Sequence, residues 1–230
     1  MSKNYIFDVD GTLTPSRGTI DAEFKKQFLE FTRTHNVSLV TGSDRPKTLE
    51  QLGDEVYNSC ARVYNCSGND VYAKDKQLSR NAWSLPAEAG FFLINELDNS
   101  GWKIQTGLHI EDRPGMVNFS VVGRHANKQQ RADYYQYDKQ VMERTAIAER
   151  FNKRFPELSA KVGGETGIDI FQKGCDKSQI LKDFDLDSIK FYGDRVDLAG
   201  NDYPLAVKLK QEHVFAVTSW KDTQRLLANE

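Results

Sequence analysis

The sequence has little cysteine, almost no net charge and no long apolar run. Its three cysteines, Cys60, Cys66 and Cys175, are odd in number and lack a metal-ligand spacing, so we expect free thiols in a reducing compartment. Lysine and arginine total 31 against 33 for aspartate and glutamate, and a net charge of −2 gives no support to nucleic-acid binding driven by bulk charge. The apolar runs are short, as at Phe91–Ile94, far below the length that spans a bilayer.

Two further features are missing. The first residues, MSKN, show no signal-peptide pattern, and the four histidines are scattered, which argues against a histidine metal centre. We therefore expect a cytoplasmic protein with no nucleic-acid and no membrane partner. A chain of 230 residues can form one large domain or two small ones.

The first third of the chain alternates strand and helix patterns. A short apolar strand, Tyr5–Phe7, precedes a helical pattern that places Phe24, Phe28 and Phe31 on one face. Asp21 stands where the N-cap of this helix belongs.

The alternation continues with a strand at Val37–Val40, a helix closed by Gly53, and a strand candidate in ARVYNCSGN, residues 61–69. Strands separated by single helices predict βαβ units and a parallel sheet. The same rhythm returns after Lys173, with a helix from Asp176, strands at Ile189–Tyr192 and Val214–Val217, and helices around Pro204–Lys210 and from Asp222.

The middle of the chain breaks this rhythm. Helical stretches at Pro86–Leu97 and Ala126–Arg154 lie on either side of two strand patterns, KIQTGLHIED at 103–112 and GMVNFSVVGR at 115–124, with a turn at RPG. A segment of this length folds as a unit of its own rather than as a loop. We therefore predict an α/β fold with a parallel-sheet core domain, residues 1–79 and 173–230, and an inserted α+β domain, residues 80–172, with an antiparallel sheet plus helices.

Polar residues gather where the strands of the parallel sheet are predicted to end. In an open parallel sheet, ligands bind beyond the carboxyl ends of the strands. Carboxylates at this edge repel one another unless a cation compensates them, and oxygen ligands in this number suit Mg²⁺ together with a substrate phosphate. The sequence therefore predicts a magnesium and phosphate site formed by Asp8, Asp10, Thr41, Ser43, Lys177, Asp194 and the Asn201-Asp202 pair.

The same residue types support phosphoryl transfer. A carboxylate can attack phosphorus to form an aspartyl phosphate, while Mg²⁺ and Lys177 offset the charge on the equatorial oxygens. Either Thr41 or Ser43 donates a hydrogen bond to the phosphoryl group. Asp10, able to pivot on Gly11, protonates the leaving oxygen and later deprotonates the incoming nucleophile. Each feature alone has an ordinary explanation, as a turn, a solvated lysine or a helix cap, but their order at strand ends favours the site.

Four ordered motifs resemble those of the haloacid-dehalogenase (HAD) superfamily of phosphotransferases: DVDGT at 8–12, a hydroxyl-bearing turn after the second strand, a lysine, and GD followed by ND at 193–202. The resemblance implies a Rossmann-like core in which Asp8 is the nucleophile and Asp10 the general acid and base. It also implies that Mg²⁺ is bound by the carboxylates of Asp8 and Asp194 and by the backbone carbonyl of Asp10. Asn201 and Asp202 would contact these ligands without binding the metal themselves. The insertion after the third strand resembles the large-cap sugar phosphatases of the superfamily.

The inserted segment contains three arginines spaced 11 and 7 residues apart, Arg113, Arg124 and Arg131. Any one of them is ordinarily a solvated residue, but the guanidinium fork suits bidentate phosphate recognition. The pattern R-x-G-M-x-N-x-S-x-x-G-R at 113–124 resembles the cap of the eukaryotic-type α-phosphomannomutases, and the resemblance covers essentially the full chain. It implies that substrate phosphate and sugar are bound by Arg17, Arg113, Asn118, Arg124, Arg131 and Asp169.

The sequence departs from this family pattern in three places. Where the family has Ser-x-Asp in the cap, the chain has Gly167-Ile168-Asp169, and the missing hydroxyl costs about 1 kcal/mol or changes the sugar preference. The segment YPLAVKLKQ lacks the acidic residues that hold a second structural cation in family members, so we predict no second metal. Thr41 stands where the mutases tend to have glycine, which brings this position closer to the phosphatases of the superfamily.

These observations lead to the hypothesis of a Mg²⁺-dependent phosphohexomutase that interconverts mannose 6-phosphate and mannose 1-phosphate through an aspartyl-phosphate enzyme, primed by a hexose 1,6-bisphosphate. The alternative is a sugar-phosphate phosphatase with the same chemistry and water as acceptor. A non-enzymatic binding module is disfavoured, because the nucleophile and the lysine are both present. The expected ligand is a small phosphosugar, and the family resemblance implies a homodimer through the cap.

Overall fold

The computed structural model describes residues 3–16, 18–198 and 200–230. The chain divides into two compact units, a core unit formed by Met1–Asn81 with Gly174–Glu230, and an inserted unit, Ala82–Lys173. The domain boundaries expected from the sequence, after residues 79 and 172, lie two residues and one residue from these divisions. Within the described ranges, no helix combines the length and the apolar composition needed to cross a membrane.

The strands, numbered along the chain, form one sheet in each unit. In the core unit they are β1 (Asn4–Phe7), β2 (Asn36–Val40), β3 (Arg62–Asn65), β4 (Asp70–Ala73), β5 (Lys76–Arg80), β10 (Ile189–Gly193) and β11 (Val214–Ala216). In the inserted unit they are β6 (Ile110–Arg113), β7 (Met116–Phe119), β8 (Leu158–Gly163) and β9 (Gly167–Gln172).

The core sheet has the order β11-β10-β1-β2-β3-β4-β5. The first five strands of this order are parallel, which confirms the prediction made from the alternation of strands and helices. The last two strands, β4 and β5, are antiparallel and were not predicted from the sequence. Both are short, and every residue of β5 is exposed, so this strand lacks the alternation that marks a half-buried strand.

The first helix follows the sequence prediction closely. Helix α1 (Ala22–Thr34) is capped by Asp21, whose Oδ1 accepts hydrogen bonds from the backbone N–H groups of Glu23 at 2.9 Å and Phe24 at 3.1 Å. Its buried residues are Phe24, Phe28 and Phe31, the face predicted from their spacing.

The other helical segments of the core unit are α2 (Arg45–Ser59), α6 (Tyr203–Ala206), α7 (Trp220–Leu227) and a 3₁₀ segment, Lys177–Asp183. Gly53 interrupts α2 at φ 77° and ψ 157°, but helical backbone resumes beyond it, so the prediction that the helix closes there was wrong for the last turn and a half. The helix predicted from Asp176 is present as a 3₁₀ segment rather than an α-helix. The helix predicted around Pro204–Lys210 is present but shorter, Tyr203–Ala206.

The two faces of the core sheet are covered by separate apolar clusters. Phe7 and Leu39 pack with Phe24 and Phe28 of α1, together with residues of α2 and α7. Alternate residues of the same strands point the other way, and Ile6 packs with residues of the 3₁₀ segment and of α6. Because both faces are buried, the carboxyl ends of the parallel strands are the polar edge of this layer.

The inserted unit is an antiparallel sheet with helices, in the strand order β6-β7-β9-β8. Its helices are α3 (Ala87–Asp98), α4 (Lys128–Val141) and α5 (Glu143–Arg154). The long helix expected at Ala126–Arg154 is wrong, because Met142 adopts the left-handed conformation at φ 55° and divides it into two helices. The strand expected at 103–112 is likewise confined to β6, and the second expected strand to β7.

Candidate active site

Three carboxylates from different segments of the core unit lie close together. Asp8 directly follows β1, Asp194 directly follows β10, and Asp202 precedes α6. Each offers one oxygen atom within 4.8 Å of the oxygens offered by the other two. Asp8 and Asp202 are buried and Asp194 is half-buried, so this is a recessed cluster of hard oxygen donors of the kind that can hold a divalent cation.

Lys177 lies between two of these carboxylates. Its Nζ donates hydrogen bonds to Asp8 Oδ1 at 2.5 Å and to Asp202 Oδ1 at 2.7 Å, and the side chain is 1% exposed. The lysine begins the 3₁₀ segment, which Asp176 caps by accepting a hydrogen bond from the Ser178 N–H at 3.0 Å. The family resemblance implied that Asp202 supports the metal ligands; in the structure its carboxylate also pairs directly with the lysine.

Burial and mutual repulsion of the carboxylates shift the pKa values in this cluster. Burial raises the pKa of Asp8 well above its ordinary value; Lys177 opposes this rise, and Asp202 adds to it. Burial, followed by the charge of Asp202, raises the pKa of Asp194 to about 6. Burial on its own lowers the pKa of Lys177, but the two neighbouring carboxylates raise it above its ordinary value. With all four groups ionised, three carboxylates and one ammonium carry a formal charge of two minus, which a divalent cation would balance.

Two glycines give these carboxylates room. Gly11 has φ +80°, and a Cβ at this position would lie 2.7 Å from Cγ of Asp194. A Cβ on Gly193 would lie 2.7 Å from Oδ2 of Asp202. The glycine of DVDGT is therefore required by its backbone conformation and by the close approach of a carboxylate.

Asp10 lies in the turn that follows Asp8. The N–H of Gly11 donates to the carbonyl of Thr14 at 2.9 Å and closes this turn. Oδ1 of Asp10 accepts a hydrogen bond at 2.9 Å from Nε2 of Gln51, a residue of α2. Gln51 was not predicted from the sequence, because 41 residues separate it from Asp10 and no motif connects them.

The two hydroxyl candidates after β2 differ in their surroundings. Thr41 is 1% exposed, and its Oγ1 accepts a hydrogen bond from the backbone N–H of Ser43 at 3.0 Å. Ser43 is half-buried, and its carbonyl accepts a hydrogen bond from the N–H of Cys66 at 2.9 Å. Both lie at the carboxyl end of β2, and which of them binds phosphate stays a prediction. Asn201, next to Asp202, is half-buried, and Arg17 lies outside the described residues.

The inserted unit brings four of the predicted substrate residues into one hydrogen-bonded network. Asn118 Nδ2 donates to Asp169 Oδ1 at 2.7 Å, and Arg124 Nη1 donates to Asn118 Oδ1 at 3.3 Å. Glu111 Oε2 then pairs with Arg124 Nη2 at 3.1 Å and with Arg113 Nη2 at 2.5 Å. Glu111 was not predicted, and it is the residue that joins the two arginines.

Strand register explains this network. Glu111, Asn118, Asp169 and Lys161 are successive partners across the sheet, so their side chains project from the same face. The neighbouring positions Val117, Phe119, Ile168 and Ile170 project from the opposite face and belong to the apolar cluster of the unit. Arg131 lies in the first turn of α4, where its N–H donates to the Asn127 carbonyl at 3.0 Å. The network is thus a polar sheet face that joins two arginines to two carboxylates and an asparagine.

Comparison with solved structures defines the class of fold. The chain matches the crystal structure of a haloacid dehalogenase-like hydrolase from Bacteroides thetaiotaomicron with a TM-score of 0.62, over 100% of this chain and 99% of that one, at 10% identity. Sequence identity this low shows the fold alone. The core sheet with its inserted unit is therefore the HAD-like fold, as the ordered motifs predicted.

Sequence comparison identifies the family. The family model described as eukaryotic phosphomannomutase matches residues 24–230. A phosphomannomutase of Saccharomyces cerevisiae is 31% identical over 233 residues, which cover 96% of this chain and 91% of that protein. One of Spinacia oleracea is 32% identical over 231 residues, covering 96% and 92%. The chain belongs to the eukaryotic phosphomannomutase family.

Proposed function

We propose that this protein is a Mg²⁺-dependent phosphomannomutase that interconverts mannose 6-phosphate and mannose 1-phosphate through a phosphorylated aspartate. The observation that supports it most is the cluster of Asp8, Asp194, Asp202 and Lys177 in a chain of this family. Its carboxylate oxygens are the donors that Mg²⁺ prefers, and its two uncompensated negative charges match the charge of the ion. Asp8 and Asp194, with the carbonyl of Asp10, are the residues that would hold it.

The proposed chemistry assigns one role to each side chain. The Asp8 carboxylate attacks phosphorus and forms an aspartyl phosphate, while Lys177 neutralises charge on the phosphoryl oxygens. When bound, Mg²⁺ would supply further neutralisation of these oxygens. Asp10 gives a proton to the departing sugar oxygen and takes one from the sugar hydroxyl that attacks in the second half-reaction. Thr41 or Ser43 donates a hydrogen bond to the phosphoryl group.

A mutase needs more than one anion site, because its sugar bisphosphate intermediate carries two phosphates. A phosphatase needs only the site at the nucleophile. The network of Arg113, Arg124 and Asn118 in the inserted unit supports a second anion site and therefore favours the mutase. A hexose 1,6-bisphosphate would then serve as primer, since it delivers the first phosphoryl group to Asp8.

A coupled assay with mannose 1-phosphate tests this proposal. We expect formation of mannose 6-phosphate that requires Mg²⁺ and rises on addition of a hexose 1,6-bisphosphate, with little release of inorganic phosphate. Steady release of inorganic phosphate without dependence on the bisphosphate would instead identify a sugar-phosphate phosphatase with water as acceptor.

Replacing Gly11 tests the metal site. We expect Gly11→Ala to weaken Mg²⁺ binding by about 10- to 100-fold, because the new Cβ displaces the Asp194 carboxylate. Isothermal titration with Mg²⁺ measures this. Gly53→Ala is the matched control: its φ of +77° carries similar strain, but its Cβ would meet nothing within 4 Å. That variant should lose stability and keep its Mg²⁺ affinity, and equal affinities in both variants would contradict the role of Asp194.

Replacing Arg124 tests the anion site of the inserted unit. Arg124→Ala should raise KM for mannose 1-phosphate by about 10-fold or more, since a charge-assisted hydrogen bond to a phosphate is lost. Phosphorylation of Asp8 by acetyl phosphate should change little. Arg154→Ala is the control, because Arg154 is an exposed arginine of the same unit that pairs with Glu88. Equal loss with both phosphoryl donors would count against a phosphate site at Arg124.

A further inference from the structure

Gln51 has an unusual position for a helix residue of the core unit. It lies in the middle of α2 with 1% of its surface exposed, and its backbone carbonyl accepts a hydrogen bond from the N–H of Ile20 at 2.8 Å. Its side-chain amide is therefore buried in the core unit. Buried positions of this kind are ordinarily apolar, so the amide requires an explanation.

The amide nitrogen faces three acceptors. Nε2 lies 2.9 Å from Asp10 Oδ1, 3.3 Å from Thr14 Oγ1 and 3.4 Å from the Gly18 carbonyl. The Thr14 hydroxyl donates its own proton to the Val9 carbonyl at 3.4 Å, which leaves its oxygen as an acceptor. A reversed amide would set its oxygen against these three oxygens, so the orientation is determined. The shortest of the three contacts is the one to the carboxylate.

The amide oxygen of Gln51, unlike the nitrogen, lacks a hydrogen-bond partner among the described atoms. Oε1 of Gln51 is buried and accepts no hydrogen bond from any atom that the structure describes. An unsatisfied buried carbonyl destabilises the folded state, and a methionine or leucine at this position would avoid that cost. A side chain that carries this cost while directing its N–H at Asp10 is consistent with a functional requirement for the donor.

We propose that Gln51 is a positioning residue for Asp10, the acid and base of the proposed phosphoryl transfer. By holding Oδ1 at 2.9 Å, Gln51 fixes the rotation of the carboxyl group and directs proton exchange to Oδ2. The reason is that an N–H cannot accept a proton, so a proton on Oδ1 would face another donor. The inference rests on the proposed function, since it assigns Asp10 the proton transfer to the sugar oxygen.

The test compares two phosphoryl donors that differ in their need for an acid. The sugar oxygen of mannose 1-phosphate departs with a proton, whereas the acetate of acetyl phosphate departs as a stable anion. In Gln51→Met, which removes the donor at similar volume, kcat with mannose 1-phosphate should fall by about 10- to 100-fold with KM nearly unchanged. Phosphorylation by acetyl phosphate should change less than about threefold.

A double-mutant cycle shows whether the effect passes through Asp10. If it does, adding Gln51→Met to Asp10→Asn should cause almost no further loss with mannose 1-phosphate. The control is Thr48→Val: Thr48 lies one turn earlier in α2, is fully buried, and donates to the Asp44 carbonyl at 2.8 Å rather than to Asp10. The ratio of the two donor activities should be unchanged in that variant.

Three results would overturn the inference: equal loss with both donors, full activity in Gln51→Met, or an additive cycle. If Gln51→Met does not fold, Gln51→Glu serves as the second variant, because its carboxylate repels Asp10 and should cause the same selective loss. Failure of the proposed function is recognised separately, as an unsubstituted protein without bisphosphate-dependent isomerisation. Phenyl phosphate, whose leaving oxygen also requires an acid, then replaces mannose 1-phosphate in the same comparison.

Discussion

Asp8→Asn should abolish phosphoryl transfer to sugar and to water, with a loss of about 10⁴-fold or more. The asparagine has nearly the same shape, but its amide oxygen carries no charge and cannot form the aspartyl phosphate. Incubation with radiolabelled acetyl phosphate should leave the variant unlabelled, whereas the parent should gain one acid-stable phosphoryl group. Turnover or labelling in Asp8→Asn would refute the assignment of the nucleophile.

The same variant has an informative effect on stability. The pKa of Asp8 is raised on folding, mainly by burial, so the folded protein without a cation binds protons more tightly than the unfolded chain. Its free energy of unfolding therefore falls as the pH rises above 3.8, the ordinary pKa of the group. Asp194 adds to this fall up to about pH 6. Asp8→Asn should be at least as stable as the parent near neutral pH, with a weaker pH dependence, as thermal unfolding without divalent cations would show.

That stability at neutral pH also serves as the folding control for the loss of activity. A variant that unfolds early would lose activity for a trivial reason, and its melting temperature would reveal this. A substitution that removes charge from a functional site is expected to raise stability while it abolishes activity.

The core unit was largely predictable because its signals are local. Asp21 with its phenylalanine face, the glycine after Asp10, and the carboxylates at strand ends each follow from a few neighbouring residues. The topology rule for parallel strands then brings these segments to one edge without any knowledge of side-chain contacts.

The contacts between distant segments could not be predicted in this way. Gln51 reaches Asp10 across 41 residues, and no sequence pattern encodes that distance. Glu111 joins Arg113 to Arg124 only because the register of β6 and β7 sets it opposite Asn118. Register depends on side-chain packing over the whole sheet, so the sequence could indicate the arginines but not the contact that joins them, and their role in substrate binding stays a prediction.

The inserted unit also shows where periodicity misleads. The polar and apolar residues of the expected strand at 103–112 alternate as in a strand, but regular strand pairing is confined to β6. The preceding residues make only irregular backbone contacts with the segment after β7, such as the hydrogen bond from the N–H of Thr106 to the carbonyl of Val122 at 3.1 Å. Strand formation thus depends on tertiary pairing as well as on the pattern. Met142 divides the expected long helix because Asp138 is buried and bound to Arg144 on the following helix. Oδ1 of Asp138 also accepts a hydrogen bond from the backbone N–H of Arg144 at 2.8 Å. The break between the two helices is therefore stabilised by an ion pair and a hydrogen bond that helix propensity does not reveal.

Lys177→Met should be the most destabilising substitution in the site. Lys177 is 1% exposed and compensates two buried carboxylates, Asp8 and Asp202. Removing one partner of a buried ion pair leaves uncompensated charge and costs about 3–5 kcal/mol. We expect a loss of this size in the free energy of unfolding near neutral pH, measured by urea denaturation without divalent cations, together with loss of phosphoenzyme formation.

The pH dependence of this loss distinguishes charge from packing. The pKa of Lys177 is raised on folding, so the lysine stays charged and stabilising at every pH below 10.5, its ordinary pKa. Any pH dependence in the variant therefore comes from the carboxylates, whose protonation at acid pH removes the repulsion. The difference in stability between parent and Lys177→Met should shrink as the pH falls towards 4, whereas a packing defect would cost the same at each pH.

Lys208→Met provides the matched control for this experiment. Lys208 belongs to the same unit but is exposed. Its Nζ donates a hydrogen bond at 2.8 Å to Ser178 Oγ, a hydroxyl rather than a carboxylate. Its loss should change stability by about 0.5 kcal/mol or less. Mg²⁺ should restore part of the stability of Lys177→Met, because the ion supplies the positive charge that the lysine no longer provides. Equal destabilisation by both substitutions, at all pH values and without response to Mg²⁺, would show that Lys177 does not act through the carboxylate cluster.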